Sequence, residues 1–458
     1  MTSPSYCVVG GGISGLTAVY RLRTAVGDGA AITLFDPGDR LGGVLRTELV
    51  GGVPMDLGAE AFVLRRPELP ALLTELNLSD RQRVSTGARP LIYSRQELRT
   101  LPAGTVVGIP STAASVAGLV DQATVTRIEA EPTRPLVWEP GDDPAVADLV
   151  GERFGEQVVA RSVDPLLSGV YAGSAATIGL RAAAPTVAAA LDRGATSLTD
   201  AVSRALPPAG GAPVFGALEG GYQVLIDELL ARGRPRWVRS AVSRLEPAGG
   251  GWMVVDGTGA RWPADAVILA VPAGEASRLL TAIAPRSVAA AGRIASASSV
   301  VMALAVPGDT AFPECSGVLV ATGEPLRAKA ITLSSRKWGT RGDAQLLRLS
   351  FGRFGDRLAA DTSDDDLLSW ALGDLAAVFG LTVDPVDVRI QRWIDAMPQY
   401  GPGHADLVAE VRAGLPPTLA VAGSYLDGIG VPACVGAAGR AVERVIRAIG
   451  GSDAQVAR

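Results

Sequence analysis

Side chains that could serve as nucleophiles, bases or metal ligands are scarce in this chain. It holds one histidine, His404, two lysines, Lys329 and Lys337, and three cysteines, Cys7, Cys315 and Cys434. A zinc site built from His and Cys would lack ligands. A Ser-His-Asp or Cys-His nucleophile could draw only on His404. Chemistry here therefore rests on carboxylates or on a borrowed cofactor. Gly10-Gly11-Gly12-Ile13-Ser14-Gly15 is a G-x-G-x-x-G motif. Gly10 permits a tight turn, Gly12 lets backbone approach a pyrophosphate, and Gly15 lets a helix pack on a sheet. Asp36, 21 positions after Gly15, suits a carboxylate that binds ribose hydroxyls.

These residues need elements to position them. The sequence predicts a buried strand at 5–10, a helix over 17–26 and a second strand at 30–36, the context the motif requires. The helix start offers free N–H groups and a positive dipole end to phosphates. Asp39-Arg40-Leu41-Gly42-Gly43-Val44 follows directly. It resembles the second signature of the flavoprotein amine-oxidase-like superfamily. Adjacent glycines allow close approach to a cofactor, and Arg40 can offset pyrophosphate charge; a structural turn is the other reading. Met55-Asp56-Leu57-Gly58-Ala59-Glu60-Ala61 comes next. At the far end, 418–424 predicts a strand, 425–431 a loop, and 432–449 a helix opened by Pro432. A helix start aimed at a flavin would stabilise negative charge developing there during reduction. That makes Ile429, Gly430 and Val431 candidates for backbone contacts with the ring, against an ordinary capped helix.

Between these ends lie a helix within 64–77, a hairpin at 90–101 and a helical segment over 111–206. A glycine-led helix is expected over 217–230, then strands through 236–272. Strands at 297–306, 328–335, 345–351 and 387–393, with a helix over 364–379, suggest a separate sheet. The fold class expected is α/β: a discontinuous, Rossmann-like FAD-binding two-dinucleotide-fold domain, an inserted mixed-sheet substrate domain and a helical segment. FAD-binding pieces fall at 1–64, 207–292 and 401–458, substrate-domain pieces at 65–110 and 293–400, and the helical segment at 111–206. A length of 458 residues agrees with two or three domains.

Composition narrows the classes. The net charge of -5 gives no reason to expect a nucleic-acid partner. The excess of arginine over lysine reads as a GC-rich genome before it reads as function. No run approaches the ~18–20 apolar residues of a spanning helix. The N-terminus lacks a signal-peptide pattern, and the scattered cysteines form no disulfide framework. A reducing cytoplasm is expected; a peripheral membrane contact stays open.

GGGISGL, DRLGGVLRT, DLGAEAF, VDPLLSGVYAG (163–173), FGALEGGYQVL, RWIDAMPQYGPGH (392–404) and GSYLDGIGVPACV together resemble the protoporphyrinogen/coproporphyrinogen oxidase family of haem biosynthesis, nearly end to end. VDPLLSGVYAG and PQYGPGH set it apart from amine oxidases and carotene desaturases. The resemblance implies FAD, held by Gly10, Gly11, Gly12, Ile13, Ser14, Gly15, Asp36, Arg40, Gly42, Gly43, Val44, Gly58, Ala59, Glu60, Ala61, Val242, Trp393, Ile429, Gly430 and Val431. Val242 would meet the adenine through its backbone, or be plain strand core. Trp393 would wall the flavin, or be core. The implied reaction removes six electrons from a porphyrinogen, with oxygen as acceptor and hydrogen peroxide as product. FVLRRP (62–67) and LPAGTVVGIPS (101–111) are more similar to the bacterial branch, which implies coproporphyrinogen III, with four propionates; protoporphyrinogen IX, with two, is the alternative. No catalytic side chain and no metal are implied. Arg65 and Arg66 are candidates for propionates, or a solvated pair. Tyr171 is a candidate substrate contact, or packing. His404 is a general base, or structural. Lys329 keeps a flavin amine oxidase as an alternative. Transient contact with neighbouring haem-pathway enzymes is a further expectation.

Overall fold

Apolar runs from three remote parts of the chain meet in one parallel sheet. Its order is Arg236–Val238, Ala31–Phe35, Ser5–Val9, Ala266–Leu269, Leu419–Val421. A computed structural model describes residues 4–207, 213–339 and 342–456; residues 1–3, 208–212, 340–341 and 457–458, which the expected domain pieces include, lie outside the described residues. On one face of the sheet pack the helices Ile13–Val26, Glu68–Glu75, Gln223–Gly233 and Val431–Val456. The other face is covered by helices Ala273–Leu280 and His404–Ala413 and by the antiparallel strands Val242–Ala248, Gly251–Asp256 and Arg261–Ala264. Burial on both faces explains why the strands read as unbroken apolar runs rather than alternating ones.

A second, mixed sheet has seven strands, in the order Asp387–Pro398, Ser296–Pro307, Ala344–Phe351, Ala330–Leu333, Gly317–Val320, Leu91–Ser94, Glu97–Thr100. One face packs against the helix Asp364–Phe379, as Leu347, Leu349, Phe351, Ile331 and Leu375 share a core. That helix starts where Ser363 Oγ accepts the Asp366 N–H (3.1 Å) and stops at Gly380, whose φ is +67°. The opposite face carries Ala303, Ala305 and Leu346, which pack on Met55 and Leu57 of the cofactor-side loop. So strand alternation turns Ala303, Ala305 and Leu346 toward Met55 and Leu57, just ahead of Gly58.

The helical segment contains Gln122–Ala130, Val146–Phe154, Asp164–Tyr171, Pro185–Asp192 and Leu198–Ala205. A π-helical stretch, Val159–Val163, leads into the helix Asp164–Tyr171, which opens on Asp164-Pro165. Pro165 has no N–H and its ring crowds the carbonyl four residues back; the widened turn relieves that clash. The expected helix over 217–230 is corrected. Phe215–Leu218 is a strand paired with Phe62–Val63 and Gln82–Val84, and the helix begins only at Gln223. Gly220 and Gly221, with φ of +84° and +76°, make the turn between them. No helix among the described residues is long and apolar enough to cross a membrane.

Candidate functional site

The two glycine-rich loops touch. Gly12 and Gly42 form a parallel bridge, and Gly42 N donates to the Gly11 carbonyl at 2.8 Å. Gly10 (φ +104°) turns sharply, and a Cβ there would lie 2.2 Å from the Ala270 carbonyl oxygen. A Cβ on Gly15 would lie 1.8 Å from the Gly10 oxygen, so that glycine serves helix–loop packing. Gly12 is different: a Cβ would meet nothing nearer than the Gly43 Cα at 4.0 Å. The face of Gly12 is therefore open space bounded by glycine backbone, which a valine or leucine side chain would fill. The first bond of the following helix runs from Leu16 N to the Gly12 carbonyl (2.9 Å), so the N–H groups of residues 13–15 stay outside its ladder. A cradle of backbone N–H groups at a dipole's positive end, with no side chain in the way, fits the pyrophosphate of a dinucleotide.

Asp36 closes the cradle on the sheet side. Its Oδ2 accepts the Gly11 N–H at 2.7 Å and its Oδ1 accepts the Gly38 N–H at 2.9 Å. Each carboxylate oxygen keeps capacity for a further donor. Val242 lies just past the neighbouring strand Arg236–Val238, and its carbonyl accepts from Arg278 Nη2 at 2.6 Å. Arg40 turns inward. It donates to the carbonyls of Leu41 (3.2 Å), Leu45 (2.8 Å) and Gly43 (2.7 Å), so it shapes the glycine turn around itself. Val44 is half-exposed, at 42 %.

The last helix meets the first at the cradle. Ser14 Oγ donates to the Cys434 carbonyl at 3.3 Å, and Val431, Cys434 and Val435 share a core with Ile13 and Leu16. The loop ahead of it, residues 422–430, is held by the PQYGPGH segment. The Tyr400 hydroxyl donates to the Ser424 carbonyl (2.5 Å) and accepts from Gly428 N (2.9 Å). His404 stacks on Tyr400, with ring centroids 3.8 Å apart, and its Nε2 lies 3.3 Å from the Leu426 carbonyl. Burial lowers the His404 pKa, which favours the neutral ring. This geometry gives the histidine a positioning role over the loop that carries Ile429 and Gly430.

The loop at 57–61 is fixed from the other sheet. Trp393 Nε1 donates to the Leu57 carbonyl at 2.8 Å, and Arg348 Nη2 donates to the Gly58 carbonyl at 2.8 Å. A Cβ on Gly58 would lie 1.8 Å from the Val44 oxygen, so this loop presses on the second glycine turn. Glu60 is a hub. Its carboxylate meets Lys337 Nζ at 2.8 Å and Arg348 Nη1 at 3.7 Å, and accepts from Ser334 Oγ at 3.0 Å. Burial alone would raise its pKa, but Lys337 and Arg348 outweigh that and hold it at about 2. Asp56, beneath, accepts Thr47 Oγ1 (2.5 Å) and Tyr222 N (3.0 Å) through one oxygen, and burial lifts its pKa to about 6. Ala59 and Ala61 complete the loop.

Beyond Trp393 the strand bulges. Ala297 pairs with Met397 and Ser299 with Trp393, so residues 394–396 oppose Ser298 alone. Asp395 sits at φ +46°, its N–H bonded to Ser298 Oγ at 2.9 Å, and Ile394 is 53 % exposed. Gln399 Nε2 then donates to the Tyr171 carbonyl at 2.8 Å, and Phe354 N donates to the Ala172 carbonyl at 2.6 Å. Tyr171 itself donates to the Ala182 carbonyl (3.2 Å) and packs 5.9 Å from the Tyr400 ring. Arg65 is exposed, while Arg66 pairs with Glu68 at 2.7 Å. Lys329 shares a face with Ile331 and Leu333, which pack in the core on the far side of the sheet. Its Nζ donates to the Gly352 carbonyl at 2.6 Å, and burial and Arg353 push its pKa down to about 7. The structure thus turns this lysine away from the loops.

Arg348, Tyr222 and Tyr400 are missing from the residues that sequence reasoning singled out, and Lys337 entered only as one of two lysines. Arg348 left a signal: one charged residue in the largely apolar strand LLRLSF.

Comparison with known proteins agrees along the whole chain. The sequence model for flavin-containing amine oxidoreductases matches residues 13–446. A coproporphyrinogen III oxidase of Mycobacterium tuberculosis is 74 % identical over 458 residues, covering 100 % of both chains. One of Mycobacterium leprae is 74 % identical over 443 residues, covering 97 % of this chain and 98 % of its own. A crystal structure from Exiguobacterium sp. 255-15, described as a protoporphyrinogen oxidase, superposes with a TM-score of 0.87 at 28 % identity, covering 97 % of this chain and 99 % of the other.

Proposed function

Since the chain belongs to the family of flavin-containing amine oxidoreductases, we infer that it oxidises coproporphyrinogen III to coproporphyrin III in haem biosynthesis, with FAD as cofactor. The observation that carries this reading is the 74 % identity to coproporphyrinogen III oxidases over the full length of both chains. Three two-electron oxidations complete the conjugation of the macrocycle, and dioxygen is the final acceptor, leaving as hydrogen peroxide. FAD supplies the two-electron acceptor when bound.

The protein's part is to bind, orient and exclude water. Gly10, Gly11, Gly12, Ile13, Ser14 and Gly15, with Gly42, Gly43 and Val44, form the phosphate cradle. Asp36 serves the ribose and the Val242 backbone the adenine. Arg40 acts through its carbonyl bonds on the glycine turn. Gly58, Ala59, Glu60 and Ala61, with Trp393 bonded to their loop, would hold the ring. Ile429, Gly430 and Val431 would bring a helix start to it, where the dipole would favour negative charge. No side chain is assigned as catalytic: the substrate's own tautomerism can present successive bonds to one position. Arg65, exposed and free of ion pairs in the described structure, and Arg66 suit the rim that receives propionates. Tyr171 is a candidate contact for the same substrate. The free, buried cysteines Cys7, Cys315 and Cys434 support a reducing, cytoplasmic setting. Transient contacts with neighbouring pathway enzymes, or with a membrane surface, belong to the same reading.

Anaerobic addition of coproporphyrinogen III to the purified flavoprotein should bleach its flavin absorption, and air should restore it. A flavin spectrum that ignores the porphyrinogen overturns the reading.

A further inference from the structure

One arginine beside the 163–173 segment leaves an edge of its guanidinium unused. Arg353 Nη1 donates to Asp164 Oδ2 at 3.3 Å, while its Nε and Nη2 have no partner among the described residues. Both nitrogens stay accessible, on a side chain that is 30 % exposed. Arg181 and Arg412, by contrast, close two nitrogens on one aspartate each. The position of Arg353 is fixed from several directions. The Gly352 carbonyl accepts Lys329 Nζ at 2.6 Å, Arg353 N donates to Asp356 Oδ2 at 2.7 Å, and Phe354 N donates to the Ala172 carbonyl at 2.6 Å. Asp164 is fixed too: its Oδ1 accepts Ala175 N at 2.7 Å and its Oδ2 accepts Thr322 Oγ1. The guanidinium is thus held before any ligand arrives, which lowers the entropy lost on binding. Its neighbours are apolar and uncovered. Phe354 is 36 % exposed, and Val170, two residues before the Ala172 that bonds Phe354, is 52 % exposed. An accessible arginine edge beside uncovered apolar side chains matches a ligand with an apolar body and carboxylate arms.

We propose that Arg353 receives a propionate of the porphyrinogen through Nε and Nη2, with Phe354 and Val170 against the pyrrole that bears it. The proposal rests on the coproporphyrinogen reading above. The Nε–Nη2 edge is a two-donor fork that fits both oxygens of a carboxylate, and Nη1 can keep Asp164 meanwhile. Arg353 follows the strand Ala344–Phe351, whereas Arg65 and Arg66 follow the strand Phe62–Val63. A macrocycle with propionates on all four rings calls for cations from more than one element, and Arg353 supplies one from the seven-stranded sheet.

The test is Arg353→Gln in the flavin-loaded full chain, read by steady-state kinetics on coproporphyrinogen III, with its uncharged tetramethyl ester as competing ligand. KM for the acid should rise about tenfold and kcat stay within about twofold, as one charge-assisted pair is lost. The inhibition constant of the ester should not move, because it offers no carboxylate. Arg353→Lys, which keeps the charge without the fork, should restore part of the affinity. An unchanged KM for the acid, or an equal weakening of the ester, overturns the proposal, because Arg353 then only ties the sheet to the helical segment through Asp164. A parent protein that does not oxidise coproporphyrinogen III fails the underlying reading; a parent that does, matched by Arg353→Gln, fails this contact alone.

Discussion

Asp56 is buried beneath the loop that spans both halves of the site, and its pKa of about 6 stands above the ordinary 3.8. An acid whose folded pKa is raised binds its proton better in the fold than in the unfolded chain. Its contribution is fully present below about pH 4 and is lost as pH rises through about 6. Asp56→Asn keeps the oxygen that accepts Thr47 Oγ1 and Tyr222 N, yet cannot ionise. It should be more stable than the parent by about 1–3 kcal/mol near pH 7.5, with the gain gone near pH 4. Denaturant midpoints at both pH values check this; a variant weaker at both would show that the carboxylate is needed as a charge. At the substrate rim, Arg65→Ala should raise KM for coproporphyrinogen III about tenfold and leave kcat within about twofold, as one exposed charge-assisted contact is lost. Steady-state kinetics decide it: a fall in kcat with KM unchanged would remove Arg65 from the rim.

Loops carry the candidate site, and their glycines were legible in the sequence: at Gly10, Gly15 and Gly58 contact leaves no room for a side chain, while at Gly12 the space stays open. Gly58 shows the rule at its tightest. Gly58→Ala would put a methyl 1.8 Å from the Val44 oxygen. The clash should destabilise the protein by about 3 kcal/mol or more and lower flavin content; a purified variant with full flavin and parental melting temperature would refute the packing. Trp393 was legible only as a candidate wall for the flavin, and its bond to the Leu57 carbonyl was not legible at all. Trp393→Phe should cost about 1–2 kcal/mol by leaving that carbonyl unpartnered, seen as a lower melting temperature and faster flavin loss. The helix misread over 217–230 had a non-local cause: the strand Phe215–Leu218 exists because two remote strands flank it. Periodicity could not reveal those partners, although the adjacent Gly220 and Gly221 marked the break.

At the scale of the molecule, the seven-stranded sheet meets the loop at 57–61 through a few charged side chains beside an apolar core. Glu60 and Lys337 lie 277 positions apart and Gly58 and Arg348 lie 290 apart, so sequence spacing says nothing of either pair. The individual parallel strands, by contrast, were legible beside their motifs, since a glycine loop sits at a strand's carboxyl end, while their order was not. Lys337→Met should remove much of the stabilisation of Glu60, about 3 kcal/mol, and weaken the docking of the loop at 57–61. The central claim is the reaction itself, and its most direct test is porphyrin fluorescence in air. With coproporphyrinogen III the flavin-loaded protein should form coproporphyrin well above the autoxidation blank, and faster than it forms protoporphyrin from protoporphyrinogen IX. A rate no greater than the blank, from protein that retains its flavin, would contradict the account.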